Sequence, residues 1–339
     1  MLEHGGRLRR AALRYGIALD RWLDLSTGIN PDSWDGATVP QSAWARLPED
    51  DDGLTEAATA YYGTPDVLPV AGSQAAIMHL PRLRAPCRVG VLAPGYSEHA
   101  QRWHETGHEV VPLTAAQCAT AATSIDVLVL INPNNPTGYR FPRRQLLQWH
   151  AQLRARGGWL VVDEAFADTD PSDSLAACSD REGLIVLRSL GKFFGLAGAR
   201  VGFVLAAAPL RHALDECLGP WTVAGPARFL ARRALEDRPW HTDMRAHLTA
   251  RSVRLGALLS KRGLVPAGGC GLFQWVPTST AADLHEVLAR RGILTRLFDT
   301  PRSLRFGLPG REEDWQRLQA ALVASAEGHA CAATPEADP

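Results

Sequence analysis

No run in this 339-residue sequence approaches the roughly 18 consecutive apolar residues of a membrane-spanning helix, and the N-terminus, MLEHGGRLRR, lacks the apolar core of a signal peptide. These absences predict a chain of the cytoplasm with no membrane partner. Net charge is missing as well. The 36 lysines and arginines balance 36 aspartates and glutamates, so no global field draws the protein to nucleic acid, though a local anion site stays open. The six cysteines (Cys87, Cys118, Cys178, Cys217, Cys270 and Cys331) are scattered, with no CxxC pair and no metal-ligand spacing. They read as buried or incidental thiols of a reducing compartment, with no metal site. No internal repeat is evident, and the short N-terminus has neither the length nor the helix-turn-helix pattern of a DNA-binding domain.

What is present is an ordinary globular composition, 46% hydrophobic and 21% charged, in a chain long enough for one large domain and a smaller one. Apolar runs at 88–94, 125–132, 158–166, 183–190 and 200–206 read as short buried strands, with amphipathic stretches such as Arg143–Arg156 between several of them. Strand and helix in alternation predict an α/β fold whose mostly parallel sheet is flanked by helices. From about residue 208 the texture turns to long helical patterns, notably Trp240–Arg262. Strand candidates at 271–276 and 303–309 follow, then a helix opened by Arg311-Glu312-Glu313. The expected organisation is an N-terminal segment over 1–38 packing with a small domain, a large α/β domain over 39–207, a smaller α+β domain over 208–327, and a disordered tail over 328–339.

Three motifs follow three of the strand candidates. Asn132-Pro-Asn-Asn-Pro-Thr-Gly138 is rich in turn formers and can be a plain strand-to-helix turn, yet the carboxyl ends of parallel strands are also where open α/β sheets bind ligands. Asp163, in Asp-Glu-Ala-Phe166, can cap a helix or face a ligand. Ser189-Leu-Gly-Lys192-Phe-Phe-Gly-Leu-Ala-Gly-Ala-Arg200-Val-Gly202 fails the GxxxxGK[ST] phosphate-loop pattern, because Phe193 follows the lysine. Phe193, Phe194 and Leu196 give Lys192 apolar company, the setting that lowers an amine's pKa and makes it nucleophilic; a snorkelling surface lysine is the alternative.

Taken in order, these motifs resemble the fold-type I pyridoxal-5′-phosphate (PLP) enzymes of the class I and II aminotransferase family, and the likeness spans roughly residues 1–325. Within the family the likeness is to the branch of histidinol-phosphate aminotransferases and cobalamin-pathway threonine-phosphate decarboxylases. The resemblance implies the aspartate-aminotransferase fold, with a smaller α+β domain beside the sheet. It makes Lys192 the Schiff-base lysine, Arg200 and Ser189 partners of the cofactor phosphate, and Asp163 the carboxylate beneath the pyridine nitrogen. Asn135 becomes the amide on the ring's phenolic oxygen, Gly72-Ser73-Gln74 the phosphate-binding turn, and Tyr96 the aromatic stacked on the ring. Arg305, in Leu-Arg-Phe-Gly, matches the arginine that meets a substrate carboxylate. His4, Gly5 and Asn30 match the substrate pocket of the decarboxylase branch, and Arg296 its second substrate arginine. Asn135, beside the substrate, belongs to both sets. A homodimer is implied too.

The chemistry agrees with these roles. A dianionic phosphate suits backbone N–H groups at a helix start and an arginine fork. A carboxylate within hydrogen-bond reach keeps a pyridine nitrogen protonated, so that the ring can accept electrons. Two positions depart from the aminotransferase pattern: Phe166 stands where a tyrosine would donate to the phenolic oxygen, and Leu47 where a tyrosine would reach a neighbouring subunit's phosphate. Cleavage follows whichever bond at Cα stands perpendicular to the ring. The resemblance implies decarboxylation of a phosphorylated amino acid, L-threonine O-3-phosphate, with transamination of a phosphate-bearing substrate as the alternative.

Overall fold

Valine, leucine and isoleucine dominate the apolar runs, and branched side chains suit a pleated surface covered on both faces. The computed structural model, which describes residues 5–331 and their side chains through residue 324, contains a seven-stranded sheet. Its strands are β1 (Val67–Val70), β2 (Arg88–Leu92), β3 (Glu109–Leu113), β4 (Val127–Ile131), β5 (Trp159–Asp163), β6 (Leu184–Ser189) and β7 (Gly202–Ala206). They lie in the order β1-β7-β6-β5-β4-β2-β3. The five strands β6, β5, β4, β2 and β3 are parallel, β7 is antiparallel to β6, and β1 is antiparallel to β7. Every residue of β4 is buried, as expected of a parallel strand covered on both faces. On one face, Val127, Val129, Val161, Ile185, Leu187 and Val204 meet Ile77, Trp103 and Leu214 from the helices Ser73–His79, Ser97–Glu105 and Ala208–Leu218.

The strands β1 and β3 do not figure among the runs picked out above. Each carries a proline, Pro69 or Pro112, and each is an outermost strand, the place where a missing N–H breaks no ladder.

The chain divides into two units, one formed by Asp32–His247 and the other by the chain up to Pro31 together with Leu248 onward. The change of texture at residue 208 is therefore not the boundary, which falls within the helix Arg238–Ser260. The intervening helices stay with the sheet: Leu214 joins its core, and Arg228 in the helix Gly225–Glu236 forks onto Asp52 at 2.6 and 2.9 Å. Residues 32–38 also lie in the large unit, where Trp34 donates from its backbone to the Phe194 carbonyl at 2.9 Å and from Nε1 to Asp237 at 3.0 Å.

The second unit holds a four-stranded antiparallel sheet of β8 (Gly268–Cys270), β9 (Phe273–Pro277), β10 (Arg296–Asp299) and β11 (Arg302–Gly307), ordered β10-β11-β9-β8. The helices Ala281–Ala289 and Glu312–Cys331 belong to it. Leu23–Asp24 pairs in parallel with Ile293–Leu294, and the helix Leu8–Tyr15 places Ala11 against Trp22 and Ala289. Of the expected tail, 328–331 form the end of the last helix, and the remainder lies outside the described residues.

One glycine makes the large sheet's geometry possible. A Cβ on Gly202 would meet Ser73 N at 2.5 Å, the Arg188 carbonyl oxygen at 2.7 Å and Gly72 C at 2.9 Å. Gly202→Ala is expected to lower stability by about 1–3 kcal/mol, the usual cost of overpacking. Gly198→Ala, with nothing within 4 Å of its Cβ, should stay within about 0.5 kcal/mol of wild type. Thermal unfolding of the two variants side by side checks the contrast.

Candidate active site

Strand direction decides where the motifs meet. The strands β2, β4, β5 and β6 run the same way, and two reversals through β7 return β1 to that direction. Gly72–Gln74 after β1, Tyr96 after β2, Asn135 after β4, Asp163 at the end of β5, Ser189 and Lys192 at the end of β6, and Arg200 just before β7 therefore share one edge of the sheet. Such an edge is where doubly wound sheets bind ligands.

Where Gly72, Ser189 and Arg200 meet, the edge is tight. Gly72, at φ 71°, lies so close to Arg200 that a Cβ would come within 2.7 Å of Nη2. Arg200 itself holds φ 55°, a conformation rare for a residue with a side chain. Ser189 faces Gly202 across the ladder, and its Oγ accepts from Gly191 N at 3.2 Å. The N–H groups of Ser73 and Gln74 sit in a first helical turn, where the helix has no carbonyls for them. The Gln74 side chain is occupied elsewhere: Oε1 accepts from Tyr96 OH at 3.1 Å and Nε2 donates to buried Glu98 at 3.0 Å. Any part Gln74 plays toward a phosphate is through its backbone. Burial, reinforced by the charges of Glu98 and Asp163, pushes the Tyr96 phenol up to about 12, so it stays neutral.

Asp163 is buried, accepting from Ala165 N at 3.0 Å with Oδ1 and from His99 Nε2 at 3.0 Å with Oδ2. His99 is absent from the sequence reading. It sits three residues after Tyr96, in the helix that Tyr96 precedes, but an isolated histidine in Ser-Glu-His-Ala carries no signature. Asn134 ties the Asn132–Gly138 loop to the neighbouring turn by donating to the Pro94 carbonyl at 2.9 Å, while Asn132 closes the loop onto Phe141. Asn135, the next residue after Asn134, is half-buried.

Lys192 is half-buried, with Nζ 5.4 Å from the centroid of the Phe166 ring. Its neighbours Phe193 and Phe194 are fully buried, Phe194 stacking on Trp240 at 5.6 Å, and this anchors the turn that presents the lysine. Lys192 and Lys261 are the only lysines in the chain. The residues of this edge fit a phosphorylated, nitrogen-containing aromatic ring: a cradle too narrow for a Cβ, a buried carboxylate, an aromatic face and an amine.

Of the expected substrate residues, Gly5, Asn30, Arg296 and Arg305 lie in the other unit. Gly5 sits over Ser26, where a Cβ would meet the Ser26 carbonyl oxygen at 2.4 Å. Asn30 is buried, and His4 lies outside the described residues. Arg296 and Arg305 are register partners across β10 and β11, so their side chains rise on one face. Arg305 is buried, donates to the Ser26 carbonyl at 2.6 Å and lies over Phe273. Burial first, and the charge of Arg296 next, lower its pKa to about 10. Gly5, Ser26 and Arg296 line one open cleft of about 310 Å³.

The family described as Aminotransferase class I and II matches residues 29–322. A threonine-phosphate decarboxylase of Pseudomonas aeruginosa is 58% identical, over 95% of this chain and 98% of its own. Another from Sinorhizobium is 42% identical with the same coverage. Among solved structures, a histidinol-phosphate aminotransferase of Sinorhizobium meliloti in complex with pyridoxal-5′-phosphate superposes with a TM-score of 0.81 at 20% identity, over 97% of this chain and 99% of its own. An L-threonine-O-3-phosphate decarboxylase of Porphyromonas gingivalis gives 0.77 at 20% identity, over 89% and 99%. At those identities the two structures speak for the fold alone.

With only two lysines, the covalent attachment is open to a simple test. The purified protein should carry a visible absorption band that borohydride removes. Lys192→Ala is expected to lose the borohydride-trapped adduct and Lys261→Ala to keep it, as read by mass spectrometry of the reduced protein.

Proposed function

The chain belongs to the aminotransferase class I and II family, and we propose that it is a PLP-dependent lyase that decarboxylates L-threonine O-3-phosphate to (R)-1-amino-2-propanol O-phosphate, the aminopropanol unit of cobalamin. The end-to-end match at 58% identity to a threonine-phosphate decarboxylase carries this reading. PLP, when bound, supplies an electron sink for the pair left at Cα as carbon dioxide departs.

Everything else falls to the chain's own residues. Lys192 Nζ would hold the cofactor covalently and, once displaced by substrate, stand ready to return a proton to Cα. Asp163, oriented by His99 and Ala165 N, would keep a proton on the ring nitrogen. Tyr96 would stack as a neutral phenol, and the Asn135 amide would donate to the phenolic oxygen. Arg200, Ser189 and the N–H groups of the Gly72–Gln74 turn would take the phosphate.

A substrate with both a phosphate and a carboxylate suits the paired arginines. Two cations facing each other across a sheet repel, and an anion between them relieves that repulsion. In this reading Arg296, His4 and the Gly5 N–H take the substrate phosphate, Arg305 the carboxylate, and Asn30 lines the pocket. Phe166 beside Lys192 supplies no phenol to the cofactor oxygen, a difference from the transaminating pattern.

A homodimer in the cytoplasm completes the proposal. No helix among the described residues is long and apolar enough to cross a membrane. Trp44, Leu47 and Trp221 of the large unit are 65%, 64% and 60% exposed, apolar surface of the kind an obligate interface covers. Sedimentation should give about twice the 36.8 kDa chain mass, and a fully active monomer at micromolar concentration would count against the dimer.

The decisive assay incubates holoenzyme with phosphothreonine and measures carbon dioxide. A keto acid with no carbon dioxide would replace this reading with transamination. Losing a charge-assisted phosphate contact costs about 1.5–3 kcal/mol, so Arg296→Ala should lower kcat/KM for phosphothreonine roughly ten- to a hundredfold. The poor reaction with unphosphorylated threonine should change little; equal losses would make Arg296 structural.

A further inference from the structure

A buried charge cluster lies on the face of the sheet opposite Asp163 and Ser189. Side chains alternate along a strand, so Arg188 points away from the face that carries Leu187 and Ser189, and Glu164 away from Asp163. Arg188 is 2% exposed. Its Nη1 donates to Glu164 Oε2 at 2.6 Å and Ser174 Oγ at 3.2 Å, its Nη2 donates to Asp168 Oδ1, and the guanidinium lies 4.8 Å from the centroid of the Tyr62 ring. Glu164, fully buried, also accepts from Leu175 N at 2.7 Å and Ser174 Oγ at 2.5 Å. Asp168 accepts from Tyr61 OH at 2.9 Å. Its carbonyl takes Arg245 Nε at 2.8 Å, and Arg245 lies 5.4 Å from the centroid of Phe193, the residue after Lys192.

Burial works against the Arg188 charge, and the charges of Asp168 and Glu164 outweigh it, holding the guanidinium protonated. Stability is a poor account of such a cluster, because a buried ion group is often replaceable by well-packed apolar side chains without loss. What ions offer and apolar groups do not is direction. The cluster joins residues immediately beside Asp163, Ser189 and, through Arg245 and Phe193, Lys192.

We propose that Arg188 is a positioning residue, acting through Glu164 and Asp168 to fix the end of β5 against the end of β6 and thereby hold the Asp163 carboxylate in register with Lys192 and Ser189. The proposal rests on the assignment of those three residues to the cofactor.

The test compares wild-type holoenzyme with Arg188→Lys and with the triple variant Glu164→Leu/Arg188→Met/Asp168→Leu, which removes Arg188 together with both of its carboxylate partners. Melting temperature, the pH titration of the visible cofactor band, and kcat and KM for phosphothreonine are measured for each. The triple variant should melt within a few degrees of wild type, shift the titration midpoint by at least about half a pH unit and lose about tenfold or more in kcat with KM little changed. Arg188→Lys, which keeps the charge without the fork, should lie between them. A triple variant with wild-type melting, titration and kcat overturns the proposal. Failure of both variants to fold also overturns it, by making the cluster a stability element. A wild type without a borohydride-trapped adduct at Lys192 refutes the cofactor assignment itself, a result distinct from either.

Discussion

Ser189 and Gly202 face each other across β6 and β7, with Val70 of β1 on the far side of Gly202. Hydrogen-bonded strands keep a spacing of about 4.8 Å, so this three-strand register sets how far the Gly72–Ser73 turn stands from the Ser189 hydroxyl. Arg200 enters from the chain just ahead of β7, into the same gap. The phosphate cradle proposed for this hydroxyl, guanidinium and set of N–H groups thus takes its dimensions from stiff backbone ladders. That stiffness demands a missing side chain at Gly202 and positive φ at Gly72 and Arg200.

The two units treat buried arginine in opposite ways. In the large unit, Arg188 sits between two carboxylates and over a tyrosine ring, a charge answered within the fold. In the other unit, Arg305 shares a register position with a second arginine, and burial first, then that neighbouring charge, depresses its pKa. The first arrangement answers a charge inside the fold; the second sets two like charges side by side. Protonation follows the same logic: Tyr96 is held neutral by burial and acidic neighbours, while Arg188 is held charged against burial.

Much of this was legible in the sequence. The central strands announce themselves because parallel strands must be apolar on both faces, and the motifs stand out because each directly follows such a strand. The strands β1 and β3 were hidden by Pro69 and Pro112, which read as breaks until the edge position explains them. His99 was hidden because its partner, Asp163, is brought close only by the sheet. The chain's scarcity of lysine is a further pointer to Lys192. Arg188 and Glu164 look like ordinary polar strand ends, and only the fold shows that their side chains turn inward. The helices after residue 208 read as a new domain because local texture carries no record of which core a helix joins; Leu214 packs on the sheet all the same.

The prolines at the two margins of the large sheet constrain what the protein can become. An open sheet is a template, since its outermost strands offer N–H and C=O groups to any passing strand. Pro69 and Pro112 each delete one of those donors, so the sheet does not readily grow by edge-to-edge addition into longer polymers. Association is thereby steered toward helices and loops, where recognition depends on side chains and can diverge without disturbing the strands that hold the chemistry.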